Sequence, residues 1–216
     1  MPEIVYAFDG YCGWCWGMAA NILKLRDTFS DRFKFSAISG GLMIGNRIGP
    51  LGDFADYIER AIPRVEQMTG AIFSPAHRAL LKNRNTLQDS RVPAAAFAAV
   101  VAQKPDYDTI SLAHEILSLN FHEGADLSKP ESYAPLLAKH GVDAAAFAAD
   151  LTAGKLYAVA EKQFDEARDR YGADAFPTII YGREGEYFPL AQGYQAYDNL
   201  AHALELLHRE PPPLQA

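Results

Sequence analysis

The chain is 216 residues long, 49% hydrophobic and 22% charged, with a formal net charge of -7. That length can bury a substantial core and fits one domain with an insertion or two small ones, while the acidic balance excludes nucleic acid and anionic membrane as expected partners. No apolar run is long enough to span a bilayer, and the start, Met1-Pro2-Glu3-Ile4, lacks the basic segment, apolar stretch and cleavage site of a secretory signal, so a cytoplasmic location is expected.

Residues 4–8 read as a buried strand, short and rich in β-branched and aromatic side chains, ended by Asp9-Gly10. Residues 18–29 carry Ile22, Leu23, Leu25 and Phe29 at helical spacing, and 33–38 alternate like a second strand, which together imply a right-handed βαβ unit. The glycine-rich stretch 40–52 lacks the Gly-Lys-Ser/Thr ending of a phosphate loop and does not open a helix in the dinucleotide pattern; it reads as a flexible loop beside the active turn. Strand signals then vanish, and helices are predicted over 54–68, 75–81, 93–103, 109–121, 130–139, 144–151 and 156–171, with Ser90, Asp108 and Asp143 as N-caps. The alanine-rich run 94–99 reads as a tightly packed helix. Strand character returns at 178–181, turns through 182–185 and continues at 187–190, before a last helix over 196–208. Glu210-Pro211-Pro212-Pro213 opens a tail expected to be extended or disordered. The division that follows is 1–48 with 172–210 as an α/β frame, 49–171 as a helical insertion, and 211–216 as the tail.

Both cysteines of the chain lie in Cys12-Gly13-Trp14-Cys15, at the strand-to-helix turn where open α/β sheets place their sites. A cysteine at a helix start faces unpaired backbone N–H groups and the positive end of the helix dipole, so its thiolate is favoured. Its partner three residues later lies one turn on, on the same face. Cys12 can therefore attack a substrate disulfide, and Cys15 can resolve the mixed disulfide. A zinc site needs two further soft ligands, and His77, His114, His122, His140, His202 and His208 show no metal-ligand spacing, so no metal is expected. A structural disulfide closing so short a loop would stabilise little; two buried inert thiols are the remaining alternative. Trp14, held between the cysteines, should face outward in an apolar lip with Tyr11, while Trp16 and Met18 fit the core better. Asp9 fits a turn residue better than a proton acceptor for Cys15, and His122 fits a solvated histidine.

Four stretches carry a resemblance: Phe8-Asp9-Gly10-Tyr11-Cys12-Gly13-Trp14-Cys15, Gly40-Gly41-Leu42, Asn120-Phe121-His122-Glu123-Gly124-Ala125-Asp126-Leu127, and Ala175-Phe176-Pro177-Thr178. With the element order they resemble the thioredoxin fold, and most of all the DsbA family, over residues 3 to about 208. The resemblance implies an α/β thioredoxin-like fold with an inserted all-helical domain, and a thiol-disulfide oxidoreductase or disulfide isomerase. It implies Cys12 and Cys15 as catalytic residues and Gly13, Trp14, Phe176 and Pro177 as substrate-binding ones, with a cis Phe176-Pro177 bond beside the sulfurs. No bound cofactor is implied, with glutathione as a possible co-substrate, and the partners are thiol or disulfide proteins, peptides or small thiols. The best-known periplasmic members carry Pro-His between the cysteines; Gly-Trp here looks like the cytoplasmic, FrnE-like branch of predicted protein-disulfide isomerases. Without an imidazolium beside the nucleophile, the potential is expected between about -270 mV for thioredoxin and about -120 mV for DsbA. Two alternatives stay open. One is a glutathione-dependent kappa-class transferase or hydroxychromene-carboxylate isomerase, which resemble the same fold but place a serine near the first cysteine. The other is a redox-sensitive binding or chaperone module.

Overall fold

The computed structural model describes residues 1–209. β1 (Glu3–Phe8) runs through the middle of the molecule, and its side chains divide between two cores. Ile4, Tyr6 and Phe8 pack with Met18, Ile22 and Leu25 of α1 (Gly13–Phe29), whereas Val5 and Ala7 pack with Ile38, Ala167, Ala173 and Ile180. Successive side chains of a strand point to opposite faces, so a strand covered on both sides needs this nearly unbroken apolar run. After α1 the chain returns as β2 (Lys34–Ser39), parallel to β1 in the register Glu3 to Lys34 through Phe8 to Ser39.

The stretch expected to be a flexible loop is tied down instead. β3 (Gly49–Pro50) pairs antiparallel with β4 (Leu87–Gln88), and Leu51 and Gly52 N–H groups extend the ladder to the carbonyls of Thr86 and Arg84 at 2.7 and 2.8 Å. Two-residue strands have no periodicity to read, which is why the pattern of the sequence did not reveal them. Between and after them lie α2 (Ala55–Thr69), α3 (Pro75–Leu80), α4 (Arg91–Gln103), α5 (Thr109–Phe121), α6 (Ala134–Lys139), α7 (Ala144–Thr152) and α8 (Tyr157–Asp169). The helix expected over 130–139 begins as a 3-10 turn, Pro130–Tyr133. In α4, Ala94, Ala95 and Ala96 are buried, and Ala94 meets Ala160 and Phe164 of α8, small side chains allowing close approach.

α5 covers the outer edge of the sheet: the Ala37 N–H of β2 donates to Thr109 Oγ1 at 2.9 Å, which occupies an edge donor that could otherwise pair with another chain. Asp108 caps α5 by accepting from the Ile110 N–H at 3.0 Å and also holds Arg26 of α1 in an ion pair. Asp143 caps α7 in the same way, through the N–H groups of Ala145 and Ala146. Ser90 does not cap α4. Its backbone is already helical, and its Oγ turns away to accept from the Met43 N–H at 2.8 Å.

The sheet is completed by β5 (Thr178–Arg183), antiparallel to β1, and β6 (Glu186–Gln192), antiparallel to β5, in the order β2-β1-β5-β6. Their connection is shorter than the sequence suggests. Arg183 pairs with Glu186, leaving Glu184 (φ 54°) and Gly185 (φ 89°) as a two-residue turn whose left-handed backbone suits the strand twist. α9 (Tyr197–Arg209) packs Leu200 and Leu204 into the α1 side of the core. The tail expected over 211–216, and residue 210 before it, lie outside the described residues. Among the described residues no helix is long and apolar enough to cross a membrane.

Candidate active site

The turn after β1 is built by Asp9. Its Oδ1 accepts from the Tyr11 N–H at 2.9 Å and its carbonyl from the Cys12 N–H at 3.0 Å, the side-chain-assisted turn that aspartate favours. The carboxylate is fully buried, and its Oδ2 accepts from the Leu42 N–H at 2.7 Å, joining the turn to the segment after β2. Burial raises the Asp9 carboxyl above its ordinary value, against the opposing hydrogen bonds from Leu42, Tyr11 and Ser90. Asp9 is thus a turn residue, as its place before Gly10 suggested.

Cys12 is the N-cap of α1, with φ -86° and ψ 104°, and its Sγ accepts from the Cys15 N–H at 3.1 Å, where a serine or aspartate oxygen usually stands. The sulfur thus sits at the positive end of the helix dipole. Cys12 is 5% exposed and Cys15 0%, and both are free thiols. Burial pushes the Cys15 thiol well above its ordinary value; the contact with Cys12 adds to this, and the Asp9 backbone opposes it. Tyr6 donates its hydroxyl to the Cys15 carbonyl at 3.1 Å from beneath. The two sulfurs are therefore unequal, one at the edge of the cleft and one sealed behind it.

Across the cleft, the Cys12 thiol lies 3.5 Å from the Phe176 carbonyl, to which it donates. The Phe176-Pro177 bond is cis. A methyl group on Gly40 would overlap the Phe176 ring, so the residue after β2 has to be glycine for the ring to rest there. Gly13, Trp14 and Phe176 come together with Cys12 around one cavity; Pro177 and Cys15 are not among its lining residues. Trp14 is half-buried with its ring 6.4 Å from that of Tyr194, while Trp16 leaves the lip to stack on His114 at 5.5 Å and to donate its N–H to the Ile72 carbonyl. Met18 is fully buried in the core, and His122 is exposed.

The cavity measures about 330 Å³ and runs from Cys12 toward α2, bounded by Leu51, Ile58, Ile62, Val65 and Phe73. Its floor contains two polar residues that sequence reasoning did not assign. Asn120 Nδ2 donates to the Gly10 carbonyl at 3.1 Å, which turns Oδ1 toward His77 Nδ1 at 3.1 Å. The Asn120 carbonyl faces the same nitrogen at 3.2 Å, so the proton lies on Nδ1. Burial holds His77 below its ordinary value, against the hydrogen bonds it donates to Asn120. This linkage clamps α3 and α5 to the active turn. Asn120 lies in a stretch that carried the family resemblance, but His77 offered no signal, because its role depends on α3 and α5 being neighbours in space. Among the described residues no group of three or more His, Cys, Asp or Glu side chains could hold a metal ion.

The family model for the DSBA-like thioredoxin domain matches residues 3–205. No curated protein matches the chain. Among solved structures, a candidate protein disulfide isomerase from Nitrosomonas europaea is 17% identical with a TM-score of 0.76, over 97% of this chain and 98% of that one. The cytosolic disulfide reductase DsbM from Pseudomonas aeruginosa is 25% identical with a TM-score of 0.74, over 96% and 98% of the two chains. A 2-hydroxychromene-2-carboxylate isomerase shares the fold at 17% identity and a TM-score of 0.61, over 96% and 95%. The matched length, the thioredoxin-like sheet with its helical insertion and the cysteine pair at the first helix agree: the chain belongs to the DSBA-like thioredoxin family, as a thiol-disulfide oxidoreductase or isomerase.

Proposed function

We propose that Cys12 is the nucleophile and Cys15 the resolving thiol of this oxidoreductase, with Gly13, Trp14, Phe176 and Pro177 bordering the substrate. The supporting observation is the inequality of the sulfurs: Cys12 caps α1 at the cleft edge, and Cys15 is sealed beneath it. In the reducing direction the Cys12 thiolate attacks one sulfur of R–S–S–R′. The S–S bond breaks, R′–S⁻ leaves and takes up a proton, and R stays on Cys12 as a mixed disulfide. Cys15 then loses its proton and attacks Cys12 Sγ; R–S⁻ leaves and is protonated, and a Cys12–Cys15 disulfide remains. Two electrons have passed from the protein to the substrate. Two molecules of a small thiol return them, and the same steps reversed oxidise a dithiol. Glutathione as that thiol and a cytoplasmic setting are part of the proposal, supported by the cytosolic reductase DsbM among the similar structures, one of which was solved with GSH.

The test is insulin reduction with glutathione as donor, followed by intact mass after alkylation. Cys12→Ser is expected to lower the rate to that of buffer, and Cys15→Ser to accumulate a mixed disulfide on Cys12. Full activity in either variant would overturn the assignment. Accumulation of one stable glutathione adduct on the wild-type protein, with no internal disulfide, would favour the glutathione-transferase class instead.

A further inference from the structure

We propose that the cavity beside Cys12 seats the apolar, aromatic half of a small disulfide, and that Arg47 at its mouth meets an acidic group on that substrate. The inference rests on Cys12 as nucleophile and adds what it acts on.

Three observations carry it. The first is size: about 330 Å³ lies at the lower end of the usual range for small-molecule sites and suits a substituted ring. The second is the state of the polar atoms in the wall. Asn120 is committed to Gly10 and His77, and the Gln88 amide turns to its neighbour's carbonyl at 3.5 Å. His77 Nε2 is buried and makes no hydrogen bond, and the buried Tyr11 hydroxyl lies by the Asp89 backbone. A peptide segment entering here would leave N–H and C=O groups unmatched, each at a cost of about 1–3 kcal/mol. A ring bonded through sulfur leaves none. The third is charge. Arg47 is the one lining residue with a permanent charge and it is exposed; its backbone N–H donates to the Ile44 carbonyl at 3.0 Å and its charge is felt by the buried Asp9, but among the described residues its guanidinium makes no hydrogen bond or ion pair. Arginine presents a planar fork of donors that matches a carboxylate.

In the resulting step, Cys12 displaces one aromatic thiolate from an aromatic disulfide while the other stays on Cys12 with its ring in the cavity. Attack by Cys15 releases that second ring as a thiol, and a small thiol then reduces the protein disulfide. Electrons and protons balance as in the general scheme.

The probe is 5,5′-dithiobis(2-nitrobenzoate), whose halves are aromatic, acidic and sulfur-linked. Its rate with the reduced protein, divided by its rate with dithiothreitol, is compared with the same quotient for 2-hydroxyethyl disulfide and for the uncharged 4,4′-dithiodipyridine. The wild-type protein is expected to saturate with the acidic probe and to prefer it over hydroxyethyl disulfide by about tenfold or more after normalisation. Ala61→Trp, which fills the cavity from α2, should reduce that preference at least about fivefold. Arg47→Ala, an exposed position that leaves the core untouched, should lower the quotient for the acidic probe relative to the dipyridine. An unchanged preference in both variants overturns the proposal, and an unchanged ratio in Arg47→Ala alone overturns the acidic group. If Cys12→Ser still reacts with all three probes at the wild-type rate, the nucleophile assignment fails instead, so the two failures are distinguishable.

Discussion

Around Cys12 the backbone holds the parts in place: Asp9 carries N–H groups from Tyr11 and Leu42, Cys12 Sγ takes the Cys15 N–H, and Asn120 grips the Gly10 carbonyl. Across the cavity α2 is held by the burial of Ala55, Ile62 and Val65, and Pro63 interrupts its own hydrogen-bond ladder midway. Tyr57 and Met68 of the same helix stay largely exposed. The two sulfurs thus sit on a wall fixed by directional backbone bonds, whereas the facing wall is held mainly by packing, with Glu66 accepting from the Phe73 N–H and from Arg78 and Asp56 pairing with Arg84 on its outer side. Side chains on the second wall can change with little effect on the first, which is how one chemistry can be offered to different substrates.

Breaking the rigid wall should cost most. Gly40→Val drives the Phe176 ring from its place beside Cys12, and a displacement of about 1 Å at a reacting centre can cost about a hundredfold, so kcat/KM in insulin reduction is expected to fall by that order while circular dichroism stays native. An unchanged rate would show that Phe176 does not position substrate. The next effect separates the sulfurs by pH. Burial holds Cys15 as a thiol through neutrality, so below its pKa the thiolate fraction rises about tenfold per pH unit. Release of substrate from a preformed Cys12 mixed disulfide should therefore quicken with pH at a log-rate slope near one, followed by stopped flow; a flat profile from pH 6 to 8 would contradict a buried resolver.

Smaller effects test the clamps. Asn120→Ala strips the Gly10 carbonyl of its side-chain donor and leaves His77 Nδ1 only the Asn120 backbone carbonyl, with an expected loss of about 1–3 kcal/mol read from urea unfolding. An equal loss in the His77→Ala, Asn120→Ala double variant would mark the two as one unit. Asp108→Ala removes the cap of α5 and one of the partners of Arg26, which keeps Asp27 and Ser111, at about 0.5–2 kcal/mol, with activity kept because the change is remote from Cys12. A large loss of activity there would mean that α5 transmits strain to the active turn.

The contiguous part of the rigid wall was also the legible part. Cys12, Cys15, Asp9 and the strand before them form one contiguous stretch, and their places in the fold follow from local rules for turns, caps and alternation. Asp108 and Asp143 were readable as caps for the same reason. Ser90 was not, because the donor that claims its hydroxyl, Met43, lies 47 residues away. The β3–β4 ladder and the His77–Asn120 link likewise depend on which segments meet in space. Arg47 sat unnoticed in a glycine-rich stretch, since nothing local marks an arginine as the rim of a cavity whose other walls come from α1, α2 and α3.

The hydrogen bond from Cys12 to the Phe176 carbonyl spans 164 residues of chain. During synthesis at roughly 5–20 residues per second, both thiols emerge roughly ten to thirty seconds before the segment that faces them exists. Through that interval β1 also lacks β5, its antiparallel neighbour, so half of the central strand's pairing is still missing. A nascent chain stalled before residue 176 would carry an unguarded dithiol, open to capture by any oxidant nearby. Maturation of this protein should therefore be sensitive to the redox state of its surroundings at a stage when the finished molecule's cleft has not yet formed.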